Sequence, residues 1–207
     1  LALGNHKCNY LFMPEMYVSM IIATNNQHKL NEIRKMLPLS FTLETLKEAG
    51  IDFELPETSG TIEGNALQKA RTVYLKTGKT TLADDSGLLV EALDNQPGVD
   101  SAIYAGLPRD DRRNVDKLLS ELSGKSNRKA AFITVLALIM NGQEYLFEGR
   151  VNGQITESLS GNGGFGYDPV FIPDGYSVTF AEMSDDEKNA ISHRANAVRK
   201  LQEFFAK

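Results

Sequence analysis

Apolar residues along this chain fall into short runs separated by polar loops, and two periodicities alternate. Met20-Ile21-Ile22-Ala23 is an unbroken apolar run, the pattern of a buried strand. A polar segment, Thr24-Asn25-Asn26-Gln27-His28-Lys29, follows it. Leu30, Ile33, Met36 and Leu37 then recur at helical spacing up to Pro38. Residues 41–46 alternate and predict a second strand. Beyond a loop-rich stretch, Ile62, Ala66, Ala70 and Val73 form one stripe of a helix over 61–77, with Gly78 as its C-terminal cap. Residues 80–83 and 88–90 predict two short strands on either side of Asp84-Asp85-Ser86-Gly87.

The second half continues the alternation. Asn95-Gln96-Pro97-Gly98 is a turn sequence. A mixed charge cluster at 109–113 reads as a solvated loop opening a helix, in which Val115, Leu118, Leu119 and Leu122 share a face. Residues 129–140 are nearly all apolar and predict a buried central strand. Asn141-Gly142 is a hairpin turn, after which 145–151 and 153–156 return along the sheet. Val170-Phe171-Ile172 reads as a further strand. Ser184 with Glu187 forms a capping-box pattern, and Ala195, Val198, Leu201 and Phe205 mark the inner face of a C-terminal helix.

The 207 residues, 42% hydrophobic and 24% charged, suffice for one substantial core. With no internal repeat or low-complexity linker, residues 20–207 read as a single domain. Residues 1–19 read as an N-terminal extension without the apolar core or cleavage site of a signal peptide. A net charge of -5 lacks the basic excess of a general nucleic-acid binder. No run of about 18 apolar residues predicts a membrane span. The one cysteine, Cys8, excludes an internal disulfide framework and fits a reducing compartment such as the cytoplasm. His6 and Cys8 lack the further ligands a metal site needs.

Candidate chemistry concentrates in a few segments. Asp84 and Asp85 are adjacent carboxylates between apolar runs, placed by this pattern at a sheet end, half out of water. Unpaired charge there is costly, and magnesium, which prefers hard oxygen ligands and carries phosphates, is an economical partner. An exposed Asp-Asp-Ser-Gly turn is the plain alternative. The strand, polar loop and helix over residues 20–37 set backbone N–H groups at a helix start, an anion site by geometry, to which Thr24, Asn25, Asn26 and Lys29 add donors. Lys69 lies off the apolar stripe of its helix and is free to meet solvent or a ligand, and Glu57 reads as an exposed carboxylate. Gly78-Lys79-Thr80 is not a P-loop, because Val73 stands where the first glycine belongs. Gly161 to Gly166 spells G-x-G-x-x-G, yet a strand rather than a helix follows, which excludes a dinucleotide fingerprint. What remains is a glycine loop carrying Phe165, Tyr167 and Asp168, where backbone can approach a ligand and a ring can stack on a base. His193 and Arg194 at a helix start offer directional donors.

Six blocks in order resemble those of the inosine triphosphate pyrophosphatase (dITP/XTP pyrophosphatase) family. They are Ala23-Thr24-Asn25-Asn26 through Lys29; Glu57; Asn65-Ala66 with Lys69-Ala70; Ala83 to Gly87; Gly163 to Pro169; and Lys188 with Ile191-Ser192-His193-Arg194. The resemblance runs from Met20 to about Phe205. Asn25 and His28 depart from it, standing where members often have glycine. It implies an α/β fold, an elongated mixed β-sheet flanked by helices, with two lobes around a central cleft. It implies hydrolysis of ITP, dITP and XTP to the monophosphate and pyrophosphate with Mg²⁺, usually by a homodimer. Carried over by position, Asp85 is the catalytic base and Glu57 and Asp85 hold the metal. Thr24, Asn25, Asn26, Gln27, His28, Lys29, Lys69 and Ser86 bind substrate, as do Phe165, Gly166, Tyr167, Asp168, Lys188, His193 and Arg194. Within that set Phe165 stacks on the purine, Asp168 accepts from N1–H, and Lys188, His193 and Arg194 donate to O6.

Overall fold

The computed structural model of the chain describes residues 17–207. Residues 1–16, with His6, Cys8 and most of the expected extension, lie outside the described residues. The first strand, β1 (Val18–Ala23), starts earlier than the apolar run suggests. Val18 and Ser19 are carried into it by parallel pairing with Phe41 and Thr42 of β2 (Phe41–Thr45).

Seven strands form one mixed sheet in the order β2-β1-β3-β5-β6-β7, with β4 paired to β3. β3 (Thr81–Val90) runs parallel to β1 and antiparallel to β5 (Lys129–Met140). β5 turns back at Asn141-Gly142, both in the left-handed region at φ 53° and 75°, into β6 (Gln143–Ile155). β6 is one continuous strand, where the sequence suggested two pieces. The turn expected at 95–98 lies earlier. Asp94 and Asn95 take the positive φ values, and β4 (Gln96–Gly98) follows as a short strand beside β3. Asp168–Val170 forms a single 3₁₀ turn before β7 (Phe171–Pro173).

Helices cover both faces. α1 (Gln27–Met36) and α5 (His193–Phe205) pack Leu30, Ile33, Val198 and Leu201 against Met20, Ile22, Leu82 and Leu136. α2 (Ile62–Thr77) lays Ala66, Ala70 and Val73 on the other face, against Ile21, Ala83 and Val135. α3 (Asp111–Glu121) packs Val115 and Leu118 with Tyr167, Phe171 and Phe180 in a third cluster. The capping box at Ser184 opens α4 (Asp185–Ile191), with both of its reciprocal bonds made.

The largest departure from the sequence pattern is in β3. The two expected strands are one, and it passes straight through Asp84-Asp85. Both carboxylates are therefore buried in mid-sheet rather than half-exposed at its end. Every residue from Thr81 to Val90 has a register partner on β5, so the strand has no break in which a turn could form.

α5 reaches this region because β6 carries glycine where the helix begins. A Cβ at Gly149 would overlap the backbone oxygen of His193 and the backbone nitrogen of Ala197. Gly149→Ala should therefore cost about 1–3 kcal/mol by overpacking. Denaturant unfolding checks this; an unchanged midpoint would show that α5 does not depend on the close approach.

Candidate active site

Consecutive strand residues point to opposite faces, so β3 sends its two carboxylates to different helices. Asp84 meets α1 and α5: Lys29 Nζ lies 2.5 Å from its Oδ1 and Arg194 Nε 2.9 Å from its Oδ2. Burial alone would raise the Asp84 carboxyl, but Arg194 and then Lys29 outweigh it and hold the group well below the usual carboxylate range. Asp85 meets α2. Lys69 Nζ donates to its Oδ1 at 2.9 Å and to Glu57 Oε1 at 2.5 Å. Asp85 Oδ2 is buried and has no hydrogen-bond partner among the described residues. Burial raises the Asp85 carboxyl against the pull of Lys69.

The charge pattern spreads outward from Asp84. Arg194 also donates to Ser86 Oγ at 3.0 Å and, through Nη1, to Glu32 Oε2. Glu32 on α1 accepts in addition from Lys188 Nζ at 2.8 Å, and Lys188 bonds Asp168 Oδ2 at 2.6 Å. That same oxygen accepts the Phe165 backbone N–H at 2.8 Å. A chain of alternating charge thus leads from mid-sheet to the glycine loop. Burial would lower Lys188, yet Asp168 and Glu32 together keep it above the ordinary lysine value.

A cavity of about 410 Å³ opens over these groups, large enough for a small ligand. Thr24, Asn25, Asn26, Lys29, Glu57, Lys69, Asp85 and Ser86 line it, as do Phe165 through Asp168, Lys188, His193 and Arg194. Most of the residues singled out from sequence therefore converge. Two do not line it. Gln27 is exposed and bonds Asn31, while His28, also exposed, stacks on Phe165, ring centroids 5.0 Å apart at 17°. Phe165 has Lys188 Nζ 4.9 Å and the Arg194 guanidinium 5.9 Å from its centroid, close enough for cation–π attraction.

Several side chains are more committed than the sequence suggested. Asn26 caps α1, accepting from His28 N at 3.0 Å and Lys29 N at 3.2 Å, so those backbone donors are already taken. Asp168 Oδ2 is doubly occupied. Tyr167 is buried, its hydroxyl donating to Ser101 O at 2.9 Å. His193 stacks on Phe132, with centroids 4.7 Å apart, and its Nδ1 has no hydrogen-bond partner among the described residues. Burial, reinforced by Arg194 and Lys188, lowers its pKa well below the ordinary value, so the ring is neutral and donates one proton at most.

Glu32 escaped the sequence reading, although helical spacing places it one turn beyond Lys29 and His28 on α1. Asp111 escaped it as well; its Oδ2 accepts the Gly166 N–H at 2.9 Å and ties α3 to the glycine loop. No sequence signal marked this contact, which spans more than 50 residues.

Comparison with known proteins finds relatives over most of the chain. Residues 20–204 match the model of the Ham1 family. A curated dITP/XTP pyrophosphatase of Flavobacterium psychrophilum is 50% identical over 188 residues, covering 91% of this chain and 99% of that protein. Its counterpart from Porphyromonas gingivalis is 52% identical, covering 90% and 96%. The solved structure of the Staphylococcus aureus Ham1 protein superposes with a TM-score of 0.84 at 38% identity, covering 91% of this chain and 98% of that one.

Glu32→Gln should lose about 1.5–3 kcal/mol at pH 7, since Lys188 and Arg194 each lose a charged acceptor. The cations hold Glu32 below its unfolded value of 4.5. Its stabilisation is therefore complete above that pH and disappears as pH falls through the lower folded value. The gap between wild type and variant in urea titrations should close in acid; a pH-independent gap removes Glu32 from the network.

Proposed function

The chain belongs to the Ham1 family, and from this we propose that it is a nucleoside triphosphate pyrophosphatase. It hydrolyses the non-standard purine nucleotides ITP, dITP and XTP to the monophosphate and pyrophosphate, clearing deaminated purines from the nucleotide pool. The observation that carries this is one cavity joining a buried carboxylate with a free oxygen, Asp85, to an aromatic ring ringed by cations, Phe165.

In this reading the triphosphate lies at the Thr24–Lys29 end, near Lys29 and Lys69. Asp85 takes a proton from the attacking water. The new bond forms between that water oxygen and the α-phosphorus, and the bond to the bridging oxygen breaks. Pyrophosphate leaves with its charge facing the two lysines. A positioned carboxylate of this kind contributes about 10²–10⁴-fold.

Glu57 and Asp85 fit a Mg²⁺ ion. The ammonium of Lys69 already bridges them as a cation, and Asp85 Oδ2 remains a hard, buried, unshared acceptor. No group of three or more carboxylate, histidine or cysteine ligands gathers among the described residues. Magnesium needs only one or two carboxylates when substrate phosphates complete its shell. Bound there, it would neutralise phosphate charge in the transition state.

The purine stacks on Phe165, its C6 carbonyl turned to Lys188 and Arg194. Each keeps N–H groups beyond those given to Glu32, Asp84, Asp168 and Ser86, and neither can accept. Adenine offers an amino group at that position, which leaves donor facing donor in a buried site and is strongly disfavoured. The proposed working unit is a homodimer in the cytoplasm; family resemblance supports the dimer, and light scattering tests it.

Asp85→Asn should fold normally and lose about 10²–10⁴-fold in kcat on ITP. The check is pyrophosphate release from ITP, XTP, GTP and ATP with and without Mg²⁺. Wild-type protein that releases orthophosphate, or that turns over ATP as fast as ITP, contradicts the proposed activity.

A further inference from the structure

The cations of the cavity are not equally committed. Lys29 is paired to Asp84, Lys69 to Glu57 and Asp85, Lys188 to Glu32 and Asp168, and Arg194 to Asp84 and Glu32. Arg109 lines the same cavity and differs. Its only hydrogen bonds among the described residues are to Asp111 Oδ1, at 3.4 Å from Nε and 3.5 Å from Nη2. Those lengths are at the outer limit of hydrogen bonding. Its side chain is 45% exposed. A guanidinium carries five N–H donors and no acceptor, so Arg109 presents unspent donors to whatever fills the cavity.

Its position assigns those donors to the base end. Asp111, which Arg109 approaches through Oδ1, holds the Gly166 backbone through Oδ2. Gly166 adjoins Phe165, and Tyr167 bonds Ser101 on the same wall. Arg109 therefore stands beside the segment that carries the stacking ring, on a different element from Lys188 and Arg194, which come from α4 and α5.

We propose that Arg109 is a specificity residue that reads the 2-position of the purine and favours xanthine. This deepens the proposed function and rests on its placement of the base against Phe165. The three 6-oxo purines differ at C2. Xanthine has a carbonyl there, and its ring loses a proton more readily than hypoxanthine; both features attract a guanidinium. Hypoxanthine has only C–H. Guanine has an amino group, a donor facing a donor, which leaves both unpaired once water is excluded. The same residue thus rewards XTP, leaves ITP to the other contacts and works against GTP.

The test is steady-state kinetics on XTP, ITP and GTP for wild type, Arg109→Gln and Arg109→Lys, with circular dichroism to confirm folding. Arg109 is half-exposed and loosely held, so its replacement leaves the core intact. The XTP-to-ITP ratio of kcat/KM should fall about tenfold in Arg109→Gln, chiefly through KM, and recover in part in Arg109→Lys. The ITP-to-GTP ratio should fall as the repulsion is removed. Calorimetric binding of XMP against IMP should show the same loss without turnover. An equal fall on all three substrates would place Arg109 on the phosphates and overturn the proposal, as would unchanged ratios. Wild-type protein that cleaves neither ITP nor XTP would instead overturn the activity on which the proposal rests.

Discussion

Asp84 has no exposed surface, and an ionised carboxylate so placed persists only if cations come to it. That requirement organises much of this molecule. Lys29 must arrive from the start of α1 and Arg194 from the start of α5, so the N-terminal turns of both helices are fixed over Asp84. Lys29 and Arg194 together bring more positive charge than Asp84 can balance, and Glu32 answers it. Glu32 also recruits Lys188, and Lys188 pairs with Asp168, whose second hydrogen bond fixes the Phe165 backbone. Each charge is tolerable because the next is present. Five segments, drawn from residues 29 to 194, are locked in one arrangement before any ligand enters.

This arrangement separates structure from chemistry. Asp84 itself is fully paired and does not line the cavity, although its partners Lys29 and Arg194 do. The Asp85 side keeps one carboxylate oxygen unspent and one lysine shared between two acids. A site prepared in this way stabilises developing charge without first reorganising, which is the main source of electrostatic catalysis. The base end follows a similar logic. Cations already held by carboxylates stand around Phe165 with N–H groups left over, so a purine carbonyl meets donors whose orientation is set in advance.

Much of this was legible in the chain. The apolar runs gave β1, β5 and α2 nearly to the residue, because burial on one or both faces leaves a clear periodicity. Six motif blocks in order named the family and most of the cavity wall. The sequence misled where charge and pattern disagreed. Two aspartates inside an apolar run look like a turn, and nothing local reveals that Lys29, Lys69 and Arg194 will neutralise them in mid-strand. Glu32 looks like an ordinary solvent-facing residue of an amphipathic helix, since its partners lie more than 150 residues away. The start of α1 reads as a set of backbone donors for a ligand, whereas the Asn26 side chain consumes two of them as a helix cap. Long-range pairing is decided by the assembled fold, and periodicity carries no record of it.

The most direct measurement is a double-mutant cycle on unfolding free energy with Asp84→Asn and Arg194→Met at neutral pH. If Asp84 is the charge on which the arrangement depends, each single change strands the other member of the Asp84–Arg194 pair, and the double change removes both. The coupling should then reach about 2–3 kcal/mol. Additive effects, with coupling near zero, would contradict a buried ion pair at the centre of this structure.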